Sequence, residues 1–308
     1  MKRTSIFLVV ACVLCVAGCD KTTPTSPSLN FMEANGSNAF AYVTGLVENC
    51  TPRDAMTPGA ERAATWIQTQ LTSLGVNAEI DRFIDDTPNG QQNFFNVTAL
   101  LPATAKASAT VVLLSHFDTK SGINENFQGA NDSGSSTGLL IELARMIKEN
   151  GYPLNILVAF LDGEECHESY DRSDGLHGSR HLAAKLKRAK VNVKAVILTD
   201  MIGDRDLNIV VPHNGTGWLR ALALKAADAT DNRAYISLTD GRILDDHQPF
   251  LDLGFPAVDL IDFNYGSTPG ANDYWHTPQD TLDKISSGSL TITGRIVAEM
   301  LNIIAREQ

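Results

Sequence analysis

Asn155-Ile156-Leu157-Val158-Ala159-Phe160-Leu161 runs without a break into Asp162-Gly163-Glu164-Glu165. A nearly continuous apolar run of this length suits a strand covered on both faces, and acidic residues at its end suit a site at the rim of a sheet. The same pattern recurs at Thr110 to Ser115, Val193 to Thr199 and Ala257 to Ile261, with further strand-type runs at Asn77 to Ile84 and Asn93 to Leu101. Between them, segments 38–49, 59–74, 134–150, 178–190, 216–229 and 287–305 carry apolar residues at helical spacing, for example Leu139, Leu140, Leu143, Met146 and Ile147. Strands alternating with helices predict an α/β three-layer sandwich. Its central sheet is expected to be mixed but mostly parallel, with helices on both faces and an antiparallel pair at one side.

The rest of the composition is consistent with one such domain. The chain has 308 residues, 43% hydrophobic and 20% charged, which reads as globular, and no internal apolar run reaches membrane-spanning length. A formal net charge of -11 argues against nucleic acid as a partner, since phosphate binding needs a basic surface. The N-terminus differs in kind. Lys2 and Arg3 precede an apolar stretch from Ile6 to Ala17, and Val16-Ala17-Gly18-Cys19 resembles a bacterial lipobox. Residues 1–18 are therefore expected to be a lipoprotein signal peptide, with Cys19 lipidated and the protein exported and anchored to the cell envelope. Residues 19–37, rich in Thr, Pro, Ser, Asn and Gly, are expected to be a flexible tether, and residues 38–308 a single catalytic domain. Of five cysteines, only Cys50 and Cys166 fall in that domain, so no disulfide framework supports it, and whether these two pair stays open.

In parallel sheets ligands bind beyond the carboxyl ends of the strands. There the sequence places His116-Phe117-Asp118, Asp162-Gly163-Glu164-Glu165, Asp200, and a loop after Ile261 holding Trp275 and His276. Asp132, in Gly129-Ala130-Asn131-Asp132-Ser133-Gly134, stands just before a helix. Taken singly, an acidic residue ending a strand usually reads as a turn former or helix cap, Asp132 reads equally as a cap, and a lone His reads more readily as a structural residue. Convergence changes the balance, because such groups on one rim repel and desolvate one another unless a cation neutralises them. Imidazole and carboxylate donors without thiolates suit zinc in a catalytic site.

The ordered set His116-x-Asp118, Gly129-Ala130-Asn131-Asp132, Asp162-Gly163-Glu164-Glu165, Asp200-Met201-Ile202-Gly203 and Trp275-His276-Thr277 resembles the M28 zinc aminopeptidase superfamily. Within it the chain is most similar to the glutaminyl cyclases. That likeness rests on the stretch from Glu164 through Gly178-Ser179-Arg180-His181-Leu182-Ala183-Ala184-Lys185, on Glu79-Ile80-Asp81-x-Phe83, and on Asp245-Asp246-His247-x-Pro249-Phe250-Leu251. Three departures from the animal cyclases stand out: Ser115 replaces a cysteine, Tyr170 a pocket tryptophan, and Asp259 a histidine.

The resemblance implies one zinc held by Asp132, Glu165 and His276, with Glu164 as the proton shuttle, Asp200 and Asp245 raising its proton affinity, and Trp275 and Tyr170 walling the substrate pocket. The reaction implied is conversion of an N-terminal glutamine of a peptide or protein to pyroglutamate with release of ammonia. The alternative within the superfamily is an aminopeptidase with two zinc ions, the second on His116 and Asp200, and Asp132 bridging. In either version Asp118 is expected to orient His116. A third reading, an inactive binding lipoprotein, predicts a lost ligand or base, and none is lost.

Overall fold

The computed structural model describes residues 33–307 apart from 105, 107 and 108. The expected signal peptide and the lipidation site at Cys19 lie outside the described residues. The ordered fold begins earlier than the expected tether end at residue 37. Ala34 is buried, and Asn35 accepts hydrogen bonds from the Ser37 and Asn38 backbone at the start of helix α1 (Gly36–Cys50). Gly36 signals flexibility by composition, but here it is a packing residue: a Cβ would collide with Ser287 O and Thr291 of the last helix.

After α1 come α2 (Pro58–Ser73), β1 (Ala78–Thr87), β2 (Gly90–Leu101), β3 (Thr110–His116), α3 (Ser136–Asn150), β4 (Asn155–Leu161), α4 (His177–Arg188) and β5 (Val193–Asp200). The chain continues through β6 (Ile209–Val211), α5 (Gly217–Ala229), β7 (Ile236–Leu238), α6 (Gln248–Asp252), β8 (Ala257–Ile261) and α7 (Ser287–Arg306). Local signals start several helices. Thr57 caps α2 with Pro58 at its first position, and the Ser286 side chain accepts from Ser289 N at the head of α7.

The strands form one mixed sheet in the order β1-β2-β4-β3-β5-β8-β6-β7. β4, β3, β5 and β8 run parallel to their neighbours in the centre, the β1–β2 hairpin adds antiparallel strands at one side, and β6 returns antiparallel beside β8. Alternation of side chains divides the core. Val111, Leu113, Ile156, Val158, Ala195 and Ile197 pack on one face against α1, α2, α3, α5 and α7. Val112, Leu114, Ala159, Leu161, Val196 and Leu198 pack on the other against α4 and α6. The expected three-layer sandwich is thus present. Cys50 and Cys166 are buried free thiols.

Candidate active site

The carboxyl ends of the central strands deliver the polar residues to one rim. His116 closes β3 and Asp200 closes β5. Glu164 and Glu165 follow β4, Asp132 precedes α3, Asp245 precedes α6, and Trp275 and His276 lie in the loop between β8 and α7. Asp132, Glu164, Glu165, Tyr170, Asp200, Asp245, Trp275 and His276 line a single cavity of about 300 Å³. His116 stands behind this lining, 1% exposed.

Two trios of donor atoms meet at Asp132. Its Oδ1 is 3.2 Å from His116 Nε2, which lies 3.3 Å from Asp200 Oδ1. Its Oδ2 is 3.4 Å from His276 Nε2, which lies 2.9 Å from Glu165 Oε1. Burial pushes the Asp132 carboxyl up, but the two imidazoles outweigh it and hold it below its ordinary range. Burial likewise lifts Glu165 to about 7. His276 is disfavoured as a cation by its own burial, yet contacts with Asp132 and Glu165 raise it to about 9. The carboxylates thus favour positive charge at this point, which a bound cation would supply in place of protons on the imidazoles. Glu165 Oε2 is buried without a hydrogen-bond partner, since Lys120 Nζ stops 3.8 Å away. Buried carboxylates and imidazoles converging on shared points, with no thiolate, fit a divalent metal such as zinc.

His276 adopts a left-handed backbone with φ of 54°, as does Met201 beside Asp200 with φ of 51°. Each carries strain of about 1–3 kcal/mol that the surrounding packing must offset, a pattern common where side chains are aimed for function.

Glu164 is buried, and desolvation first, then the neighbouring charges of Glu165, Asp245 and Asp246, drive its carboxyl well above the ordinary range despite His116. Asp245 is thus among the groups beside Glu164, while Asp200 places Oδ1 3.3 Å from His116 Nε2. The Tyr170 hydroxyl donates to both Glu164 oxygens, at 3.0 and 3.2 Å. The aromatic wall expected there is also a positioning group, which only its hydroxyl could have signalled. Asp118 lies 3.5 Å from His116 Nδ1, at the outer limit for orienting it, and accepts from Glu164 N and Glu165 N at 3.2 and 3.1 Å. It ties the end of β4 to the end of β3.

Trp275 stacks on His276 at 3.9 Å and tilts against Phe263 at 5.0 Å. His247 accepts from Asn214 Nδ2 at 2.8 Å, makes no hydrogen bond to Asp245 or Asp246, and turns Nδ1 toward Asp259 at 4.0 Å.

Two supporting residues carry no motif of their own. Asp280 accepts from Asn131 N at 2.7 Å, Asp132 N at 3.0 Å and Tyr265 OH at 2.8 Å, fixing the backbone that carries Asp132. Its place four residues after His276 was the available signal. Arg53, fully buried, donates to the carbonyls of Phe117, Gln128 and Gly129, at 2.6 Å each. It lies far upstream of every motif, so nothing nearby marked it. Asn131 completes the frame by accepting from Gly203 N at 2.7 Å, joining the Asp132 loop to the segment after Asp200. Gly129, with φ of 51°, is pressed against Thr119 and the Asp132 carbonyl where no Cβ fits.

Residues 96–301 match peptidase family M28, and the chain belongs to that family. Within it, the similarity is to glutaminyl cyclases. The chain is 36% identical to the glutaminyl cyclase of an Acidobacteriales bacterium, with a TM-score of 0.82 covering 92% of this chain and 98% of that one. It is 25% identical to the Porphyromonas gingivalis glutaminyl cyclase, with a TM-score of 0.77 over 87% and 98% of the two chains. It is also 27% identical to the glutaminyl-peptide cyclotransferase of Drosophila melanogaster over 80% of this chain and 76% of that protein.

Proposed function

We propose that this protein is a zinc-dependent glutaminyl-peptide cyclotransferase, converting the N-terminal glutamine of peptides or proteins to pyroglutamate and releasing ammonia. The observation that carries this reading is the 36% identity to a glutaminyl cyclase across nearly the whole chain, joined by a cavity in which Asp245 stands with Glu164. Asp132, Glu165 and His276 would hold one zinc, which when bound supplies a Lewis acid for the side-chain amide carbonyl of the substrate. Glu164 takes a proton from the α-amine as its nitrogen bonds to the side-chain amide carbon, Cδ, and returns it to the departing amide nitrogen, which leaves as ammonia as the Cδ–N bond breaks. A carboxyl whose proton affinity is raised by burial and by neighbouring carboxylates can both accept and return a proton. Tyr170 keeps the Glu164 carboxylate in one orientation, and Trp275 forms a wall for the glutamine side chain.

A second reading, a two-zinc aminopeptidase, is favoured by one feature: Asp132 turns one oxygen to each trio of donors. One peptide beginning with glutamine discriminates the two. The cyclase reading expects loss of ammonia with all peptide bonds intact and one zinc per chain; release of free amino acids at comparable rates, with two firmly bound zinc ions, would overturn it.

We further propose that the protein is exported and held at the cell envelope by lipid on Cys19, a reading supported by the lipobox-like Val16-Ala17-Gly18-Cys19. Cys19→Ala is expected to move the protein from the membrane fraction to the soluble one on cell fractionation. Unchanged membrane recovery would refute the anchor.

A further inference from the structure

Beside the catalytic cavity lies a larger one, of about 660 Å³, between the loop from Tyr170 to Leu176, helix α4 and helix α6. Tyr170 and Leu244 line both, so the two cavities meet at those side chains. Leu176, Ala184, Pro249 and Leu253 supply the apolar part of the larger cavity's lining. Two polar side chains of the same lining are engaged: Arg180 donates to the Asp171 backbone carbonyl at 3.0 Å, and Gln248 donates to Asp252 at 2.6 Å. Asp171 and Arg172 are exposed at the lining as well, and most of the surface left for an incoming chain is apolar. Leu244, at the junction, is 49% exposed, although a large aliphatic side chain gains by being covered.

We infer that this groove is a subsite for apolar side chains at the third and fourth positions of the polypeptide substrate, an inference that rests on the peptide-cyclase reading of the adjoining cavity. With the N-terminal residue held beside Glu164 and Trp275, an extended chain advances roughly 3.3 Å per residue. Two residues of advance carry it past Tyr170 and Leu244 into the groove. The enzyme then selects among substrates by the residues after the glutamine as well as by the glutamine itself. The groove touches no reacting atom, so its contacts are taken to be equal in ground and transition states. They act on KM and leave kcat alone.

The test uses the zinc-loaded full chain and two pentapeptide amides, Gln-Ala-Leu-Phe-Lys and Gln-Ala-Ser-Ser-Lys. The apolar peptide is expected to show a KM about tenfold lower at similar kcat. Ala184→Trp, which fills the groove from α4, is expected to erase the difference between the two peptides. Equal KM values for the two peptides with the unmodified protein would overturn the subsite, whatever the variant does. If neither peptide releases ammonia, the cyclase reading fails by itself. Fluorescence anisotropy with the pyroglutamyl forms of the same sequences still decides the groove, tighter binding of the Leu-Phe peptide supporting it and equal binding refuting it. Concentration-dependent dimerisation abolished by Ala184→Trp would assign the groove to a second copy of the chain and equally overturn the proposal.

Discussion

Burial first, and then the neighbouring carboxylates, raise the proton affinity of Glu164, and the Tyr170 hydroxyl holds its side chain in one orientation. Replacing the carboxylate by its isosteric amide removes the proton shuttle without removing a donor of either metal trio. Glu164→Gln is therefore expected to retain zinc, measured by elemental analysis, while initial rates fall by at least about 100-fold. An active, zinc-loaded variant would sink the assignment. Asp280 makes a different kind of prediction, because it touches backbone N–H groups instead of substrate. In Asp280→Asn, one acceptor oxygen facing Asn131 N and Asp132 N becomes an NH2 group that cannot accept. Asp132 is then aimed less firmly, and zinc affinity, measured by competition with a chromophoric chelator, is expected to drop roughly 10–100-fold. Unaltered affinity would make Asp280 a packing residue only.

At the scale of elements, legibility in the sequence depended on length and burial. β4 and β8 have the bounds expected from their apolar runs, because the apolar pattern and the buried strand end together. The β1–β2 hairpin extends further than expected, pairing Asp85 with Gln92 and Asp86 with Gln91, since polar residues at its solvent-facing tip show no apolar pattern. β6, β7 and α6, of three, three and five residues, are too short for any periodicity to register. The site was legible where chemistry sits at strand ends. Its frame was not, because Arg53 and Asp280 act on backbone groups remote in sequence. Arg53 makes the consequence measurable. It joins the α1–α2 connection to the loops after β3 and before α3, and losing it leaves the carbonyls of Phe117 and Gln128 without a partner, while Gly129 O keeps its bond from Gly134 N. At about 1–3 kcal/mol for each unsatisfied group, Arg53→Met is expected to lower stability in urea by about 2 kcal/mol or more. A change below about 1 kcal/mol would show that water or a rearranged loop replaces those bonds.

Across the whole molecule, the concentration of buried acids couples folding to pH and to metal. Without a cation, Glu165 and Asp246 are pushed up to about 7, chiefly by burial, and His276 is raised to about 9 by Asp132 and Glu165 against its own desolvation. All three bind protons more tightly in the folded chain than in the unfolded one. Their contribution is therefore fully present below the unfolded values, near 4 for the carboxyls and 6.5 for the imidazole, and is lost as pH rises through the folded values. Asp132, whose carboxyl is lowered, works in the opposite sense, but only at the acid end. The metal-free protein is thus expected to melt at progressively lower temperature between pH 5.5 and 9. Zinc reverses the trend, because its ligands must be deprotonated and its charge replaces the protons that the rising pH removes. At free zinc roughly 100 times Kd the gain is about 2.7 kcal/mol. Since Kd itself tightens with pH, the zinc-induced rise in Tm at a fixed zinc concentration is expected to be larger at pH 8.5 than at pH 6. Calorimetric scans of chelator-treated and zinc-reloaded protein at the two values measure it, and a shift that is equal or larger at pH 6 would mean that the acidic rim is balanced by something other than a metal.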